Sequence, residues 1–257
     1  GVELTSEQTA IASASHSGES MHLEVVAGLL DRYGCSPTDL KCTARLPLGT
    51  APRENAMRNG IKENSLMSDC SGKHASFLAA CVVNGWPRDG YLDPSHPLQR
   101  AIKSNIESWL GISIDVTGVD GCGAPVFAMS LFHLAEGFSR ALHAPNELGL
   151  VAKAMMAHPH LVGGEGRLAT EAMRALPGCI AKDGAEGVFV FAHHDVVVAM
   201  KVSDGSIRPH GPILKRVFEL MGVDSKFSTQ DPLGGGHVVG ELRISEELSD
   251  FLALRLQ

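Results

Sequence analysis

The residues with the clearest chemical potential stand in the segment SDCSGKH, where Cys70 and Lys73 are three positions apart. An apolar run that predicts a helix follows, so Cys70 is expected at the start of that helix, where unpaired backbone N–H groups stabilise a thiolate. Lys73 would lie on the same face, one turn further on. A thiolate beside an ammonium indicates an activated nucleophile, a lysine of lowered pKa or a metal site. The plainer alternative is a capped helix with a solvated lysine.

A second cysteine has a comparable setting in GVDGCG, residues 118–123. Glycines allow positive φ and close approach of a ligand to the backbone, and this turn would present Asp120 and Cys122. Its glycine spacing does not fit a nucleotide-binding loop. A tight turn with an incidental thiol is the alternative. Two cysteines in polar, glycine-rich surroundings together favour a thiolate-rich metal site.

Two further segments contain residues suited to acyl transfer. In ASHSGE, Ser15 stands next to His16, but neighbours in sequence are not a Ser–His pair in space, so no catalytic triad follows. In AKDGAEGV, Lys182 precedes a turn that leads into an apolar strand. A lysine desolvated there could act as the base for a serine. A strand-end lysine that reaches solvent is the alternative.

Hydrophobic periodicity indicates the elements that must position these residues. An apolar run, a His-His-Asp turn and a second apolar run predict two antiparallel strands over 188–202, and VVGELRI predicts a last strand. Strands and helices do not alternate as βαβ units, so the predicted class is α+β. Helices are predicted over residues 6–14, 20–33, 96–110, 125–143, 146–158 and 211–222, and another is predicted to start at Cys70 and end near Asn84-Gly85.

Composition narrows the classes of function. With 257 residues the chain is long enough to form one domain, residues 1–257, with its own core. Its net charge of −7 argues against a nucleic-acid or anionic-membrane partner. No apolar run is long enough for a membrane helix, and no signal peptide is visible. Six cysteines without a disulfide framework favour a reduced, cytoplasmic protein.

Taken in order, CSGKHA, DGCGAPV, AHPHLVGGEGR and AKDGAEGV resemble segments of the rhizobial-type (class 3) L-asparaginases, also called L-asparaginase II. The opening segment through ASHSGE resembles the same family. The similarity runs from residue 3 to about residue 243. It implies hydrolysis of L-asparagine to L-aspartate and ammonia by a homodimer. It also implies an α+β fold similar to that of serine β-lactamases and penicillin-binding proteins.

The resemblance also implies the roles of seven residues. These are a zinc ion bound by Cys70, Lys73 and Cys122, substrate contacts from His74 and Asp120, and a catalytic tandem of Ser15 and Lys182. A neutral lysine can accept the proton of a serine that attacks an amide. Lysine as a zinc ligand must likewise be neutral. We expect the zinc ion to orient the substrate and not to supply the attacking water.

The chain departs from the family pattern at one motif. The family's other serine–lysine tandem is an SxxK motif on an upstream stretch, and its serine is the presumed nucleophile. These 257 residues contain no SxxK sequence. We therefore expect an N-terminally incomplete chain that lacks the first strands of the fold, with Ser15 and Lys182 as half of a site.

Other functions stay open at the level of sequence. A glutaminase or a β-lactam hydrolase could use the same fold, and an inactive family member could bind an amino acid without turnover. Asparagine and glutamine differ by one methylene group, which is worth only ~1–3 kcal/mol in a binding pocket.

Overall fold

The computed structural model describes residues 2–225, Phe227 and residues 231–256. The α-helices of these residues are α1 (Ser6–Ala12), α2 (Ser20–Arg32), α3 (Thr50–Arg58), α4 (Ser71–Asn84), α5 (Pro97–Leu110), α6 (Leu131–His143), α7 (Glu147–Ala157), α8 (Pro159–Val162), α9 (Leu168–Ala175), α10 (His210–Leu220) and α11 (Glu246–Arg255). The strands are β1 (Thr117–Val119), β2 (Pro125–Phe127), β3 (Cys179–Gly184), β4 (Val188–His193), β5 (Val196–Lys201), β6 (Leu233–Gly234) and β7 (His237–Val238).

The largest sheet is an antiparallel meander in the order β3–β4–β5. The side chains of Phe189 and Phe191 in the central strand are fully buried. Helix α6 packs on β4 and β5, while α9 packs against β3. Strand β3 lies at the edge of the sheet, with Lys182 opposite Val190. Helices combined with an antiparallel sheet agree with the α+β class predicted from the sequence.

One hydrophobic core extends from Ala10 in α1 to Leu252 in α11. Helix α1 packs against α2, α4 and α7, and its Ala10 and Ile11 side chains have no exposed surface. The irregular segment that joins α1 to α2 therefore starts from a buried helix. Among the described residues, no helix has both the length and the apolar character needed to cross a bilayer.

The predicted ends of α4 are confirmed. The helix begins at Ser71, directly after Cys70, and ends at Asn84. Gly85 follows with φ of 65° and donates its N–H to carbonyls of the last turn. A left-handed residue at this position satisfies terminal carbonyls with little strain only when it lacks a Cβ.

Two predicted elements are wrong. The helix predicted over 125–143 begins only at Leu131, because the Ser130 side chain caps it and the preceding residues form β2, which pairs with β1. The last strand predicted from VVGELRI is absent from the described residues beyond Val238. Strand β7 pairs only with the two-residue β6, so the apolar residues that follow have no partner strand.

Candidate active site

The start of α4 and the β1–β2 turn bring both predicted cysteines together. Ligand atoms of Cys70, Asp120 and Cys122 all lie within 4.8 Å of one another. The turn is closed by the Asp120 N–H, which donates to the Ala124 carbonyl at 2.8 Å. Gly123 inside it has φ of 87°, a conformation that favours glycine. The glycines of this segment thus shape the loop that presents the carboxylate and the thiol.

Lys73 joins this cluster from the first turn of α4. Its Nζ lies 3.2 Å from Asp120 Oδ2 and 3.3 Å from Cys122 Sγ. Burial favours the neutral amine of Lys73, but the neighbouring sulfurs and the Asp120 carboxylate outweigh burial and raise its pKa. In turn, burial of Asp120 is outweighed by the Lys73 ammonium, so the pKa of that carboxyl is lowered.

The two thiols of the cluster titrate differently. A hydrogen bond between the sulfurs lowers the pKa of Cys122 and raises the pKa of Cys70. Burial opposes the lowering at Cys122, while the Lys73 ammonium assists it. Of the two thiols, Cys122 is therefore the one that ionises more readily.

The donor set of the cluster fits zinc. Zinc prefers thiolate sulfur, nitrogen and carboxylate oxygen in a tetrahedral arrangement. Cys70, Cys122 and either Lys73 or Asp120 supply these donor types. Binding through Lys73 would release its proton, whereas the Asp120 carboxylate is already ionised. Asp120, predicted only as a substrate contact, is therefore a further candidate ligand.

His74 lies behind the cluster. Its side chain has no exposed surface, and its Nδ1 is 2.8 Å from the Tyr91 hydroxyl. Its Nε2 is buried and has no hydrogen-bond partner among the described residues. Direct contact between His74 and a substrate stays a prediction.

Ser15 and Lys182 meet at the edge of the sheet although they are 167 residues apart. Lys182 Nζ lies 2.5 Å from Ser15 Oγ. Ser15 belongs to the irregular segment between α1 and α2, and Lys182 points toward it from β3. This hydrogen bond is the contact that a serine nucleophile and its lysine base require.

The surroundings of Lys182 act on its pKa in opposite directions, and burial prevails. Burial lowers the pKa of Lys182, and the Arg167 guanidinium acts in the same direction. The Asp183 carboxylate opposes them, but Arg167 forms an ion pair with Asp183. Sequence reasoning missed both charged residues. Arg167 ends the AHPHLVGGEGR motif, so its place in a recognised segment was the signal that could have drawn attention to it.

Both groups of residues open onto one cleft. The cleft has a volume of about 410 Å³. A second cavity of about 440 Å³, lined in part by Arg167, meets it at Ser15. The serine–lysine pair and part of the cysteine cluster therefore face one space large enough for a small substrate. The residues lining the cleft include Ser15, Cys70, Lys73, Asp120 and Lys182.

Comparison with protein-family models matches residues 1–244 to the family described as L-asparaginase II. Among curated proteins, no match to the chain was found. The matched range contains every residue of the cleft described above.

Proposed function

Because the chain belongs to the L-asparaginase II family, we propose that it is an amidohydrolase that converts L-asparagine to L-aspartate and ammonia. The observation that carries the proposal is the 2.5 Å contact between Lys182 Nζ and Ser15 Oγ in a cleft shared with the cysteine cluster. The proposal includes the fold of serine β-lactamases and penicillin-binding proteins, in support of which Lys182 lies on an edge strand beside the cleft.

The proposed reaction has two stages. Neutral Lys182 accepts the Ser15 proton as Ser15 Oγ attacks the side-chain amide carbon of asparagine. Lys182 then gives that proton to the leaving nitrogen, and ammonia departs from an ester on Ser15. In the second stage Lys182 takes a proton from water, which attacks the ester. L-Aspartate leaves, and Ser15 regains its proton.

On this proposal the cysteine cluster binds and orients the substrate through a metal ion. Cys70 and Cys122, with Lys73 or Asp120, would hold a zinc ion, which when bound supplies a positive charge that orients the substrate. Thiolate ligands donate charge to the metal, which suits a binding role better than generation of hydroxide. On this proposal the attacking oxygen is that of Ser15, in place of the serine of the SxxK motif, which these 257 residues do not contain.

Ammonia release from L-asparagine tests the proposal. Ser15→Ala and Lys182→Met should each lower kcat by about 10³-fold, since each removes one half of the proton-transfer pair. Lys201→Met is the matched control, because Lys201 is a lysine of the same sheet that lies on β5 and bonds only backbone carbonyls. That variant should retain wild-type activity.

Parallel assays with glutamine and a chromogenic β-lactam separate the alternatives. Turnover of either compound without turnover of asparagine would assign a different substrate to the Ser15–Lys182 pair. Asparagine that raises the melting temperature but yields no ammonia would indicate a binding protein. Failure of both readouts would contradict the asparagine proposal altogether.

A further inference from the structure

Three imidazole rings form a stacked column beside Ser15. The rings of His16 and His22 have centroids 5.0 Å apart and planes within 12°, and those of His22 and His160 are 5.5 Å apart within 9°. His16 and His22 have no exposed surface. The proposed chemistry does not use this column, although it begins at the residue next to Ser15.

Hydrogen bonds define the tautomer of His16. The Gly18 N–H donates to His16 Nδ1 at 3.1 Å, so the ring proton is on Nε2. That Nε2–H donates to Ser71 Oγ at 2.9 Å. Ser71 is the first residue of α4 and directly follows Cys70. The ring thus connects the segment that contains Ser15 to the helix that presents the cysteine cluster.

The far end of the column is attached to another segment. His22 donates through Nε2 to the His160 carbonyl at 2.9 Å, and His160 Nε2 lies 2.6 Å from Glu19 Oε2. Glu19 also accepts the Glu165 N–H at 2.9 Å. These contacts hold residues 160–165 against the segment that joins α1 to α2.

The backbone of Ser15 and His16 is bonded to the same two regions, residues 160–165 and the residues just before α4. The Ser15 N–H donates to the Val162 carbonyl at 3.1 Å, and the His16 N–H donates to the Asp69 carbonyl at 3.0 Å. Ser15 is therefore held between the segment fixed by the histidine column and the residues just before α4. A displacement of about 1 Å at a reacting atom can lower a rate about 100-fold.

We propose that His16 is a positioning residue that holds Ser15 Oγ at Lys182 Nζ through its neutral ring and the Nε2–Ser71 hydrogen bond. The inference rests on the proposed function for its catalytic consequence. The positioning of Ser15 itself does not depend on the substrate, because it affects the reactivity of Ser15 toward any acylating or phosphorylating reagent. Burial lowers the pKa of His16 to about 3, which keeps the ring neutral under ordinary conditions.

His16→Asn is the informative variant. The asparagine carbonyl can still accept the N–H two residues on, as in an Asx turn, while the bond to Ser71 is lost. We expect kcat for asparagine and the rate of Ser15 labelling by a fluorophosphonate, followed by peptide mass spectrometry, to fall together by about 10- to 100-fold. Ser71→Ala should lower both rates in the same direction. The double variant should be no slower than His16→Asn alone, since both changes remove one bond.

His96→Asn is the matched control. His96 is also buried, accepts the N–H of Leu98 through Nδ1 at 3.2 Å and donates through Nε2 to the Pro87 carbonyl at 2.9 Å. It lies at the start of α5, apart from Ser15. His96→Asn should lower the melting temperature but leave both rates unchanged. Equal losses of rate in His16→Asn and His96→Asn would show that the rates respond to a general loss of stability, and would overturn the inference.

The other outcomes are equally decisive. Wild-type rates in His16→Asn would overturn the inference even if asparagine is the substrate. Labelling of wild-type Ser15 without hydrolysis of asparagine would remove the substrate proposal alone, and the labelling rates of the variants would still decide the role of His16. No labelling of wild-type Ser15 would contradict its activation by Lys182 and the positioning role with it. If His16→Asn does not fold, the Ser71→Ala rates decide.

Discussion

The two sulfurs of the cysteine cluster differ in pKa. The pKa of Cys122 is lowered and that of Cys70 is raised by their mutual hydrogen bond, while the neighbouring sulfurs and the Asp120 carboxylate raise the pKa of Lys73. Zinc needs both thiols deprotonated. Metal binding at this cluster should therefore release protons, and it should weaken in acid.

Cys122→Ala tests the role of the cluster at the residue scale. It removes one thiolate, so zinc per chain, measured by mass spectrometry, should fall to near zero. KM for asparagine should rise with kcat nearly unchanged, because the metal contributes binding present in both the ground state and the transition state. Cys81→Ala is the control, since Cys81 is a buried core residue of α4. A loss confined to kcat would contradict the orienting role.

Helix α4 approaches α1 too closely for any side chain at one position. A Cβ built on Gly72 would lie 2.1 Å from the Ile11 carbonyl oxygen. The glycine of the SGK segment therefore serves the packing of α4 against α1, the helices that adjoin Cys70 and the segment containing Ser15. The motif glycine is required by the backbone rather than by the chemistry.

Gly72→Ala should destabilise the protein at the element scale. The added methyl group meets backbone, which cannot rotate away, so the free energy of unfolding should fall by about 1–3 kcal/mol or more. Gly28→Ala is the control of opposite sign: Gly28 is an exposed residue of α2 with nothing within 4 Å of its Cβ position. There alanine should add about 1 kcal/mol by helix propensity. Urea unfolding measures both changes, and equal signs would contradict the packing argument.

Buried neutral histidines couple the stability of the whole molecule to pH. Burial lowers the pKa of His16 from 6.5 to about 3, and it also lowers the pKa of His22. Below about pH 6.5 the unfolded chain takes up protons that the folded protein refuses, so stability is lost as the pH falls. His16 continues to contribute to this loss down to about pH 3.

The free energy of unfolding should accordingly fall between pH 6.5 and pH 5. Each fully buried histidine contributes up to ~1.4 kcal/mol per pH unit over this interval. The window lies above the ordinary pKa of carboxylates, and the lowered pKa values of Cys122 and Lys182 act on stability in the same direction, so a variant is needed to isolate the histidine contribution. In His16→Asn the slope measured by urea unfolding should be smaller by one such contribution. Parallel slopes in the variant and the wild type would show that His16 is protonated in the folded state.

The sequence by itself determined the local features of the protein, namely helix ends, residue spacing within one turn and short family motifs. Cys70 and Lys73 lie within one turn, Gly85 ends α4 through its own backbone freedom, and the motifs between Ser15 and Lys182 identify the family. Such signals act over a few residues, so periodicity and capping expose them. The sequence did not predict the β1–β2 hairpin. Its strands are only three residues long, and β2 is apolar like the start of the helix that follows it.

Tertiary structure alone decided which of these residues meet. The Ser15–Lys182 contact spans 167 residues, and the bond from His16 to Ser71 spans 55. Asp183 is next to Lys182 in the sequence, but Arg167 reaches their surroundings only because α9 packs against β3. Proximity of this kind comes from burial of a shared core, to which many distant side chains contribute, and no local pattern records it.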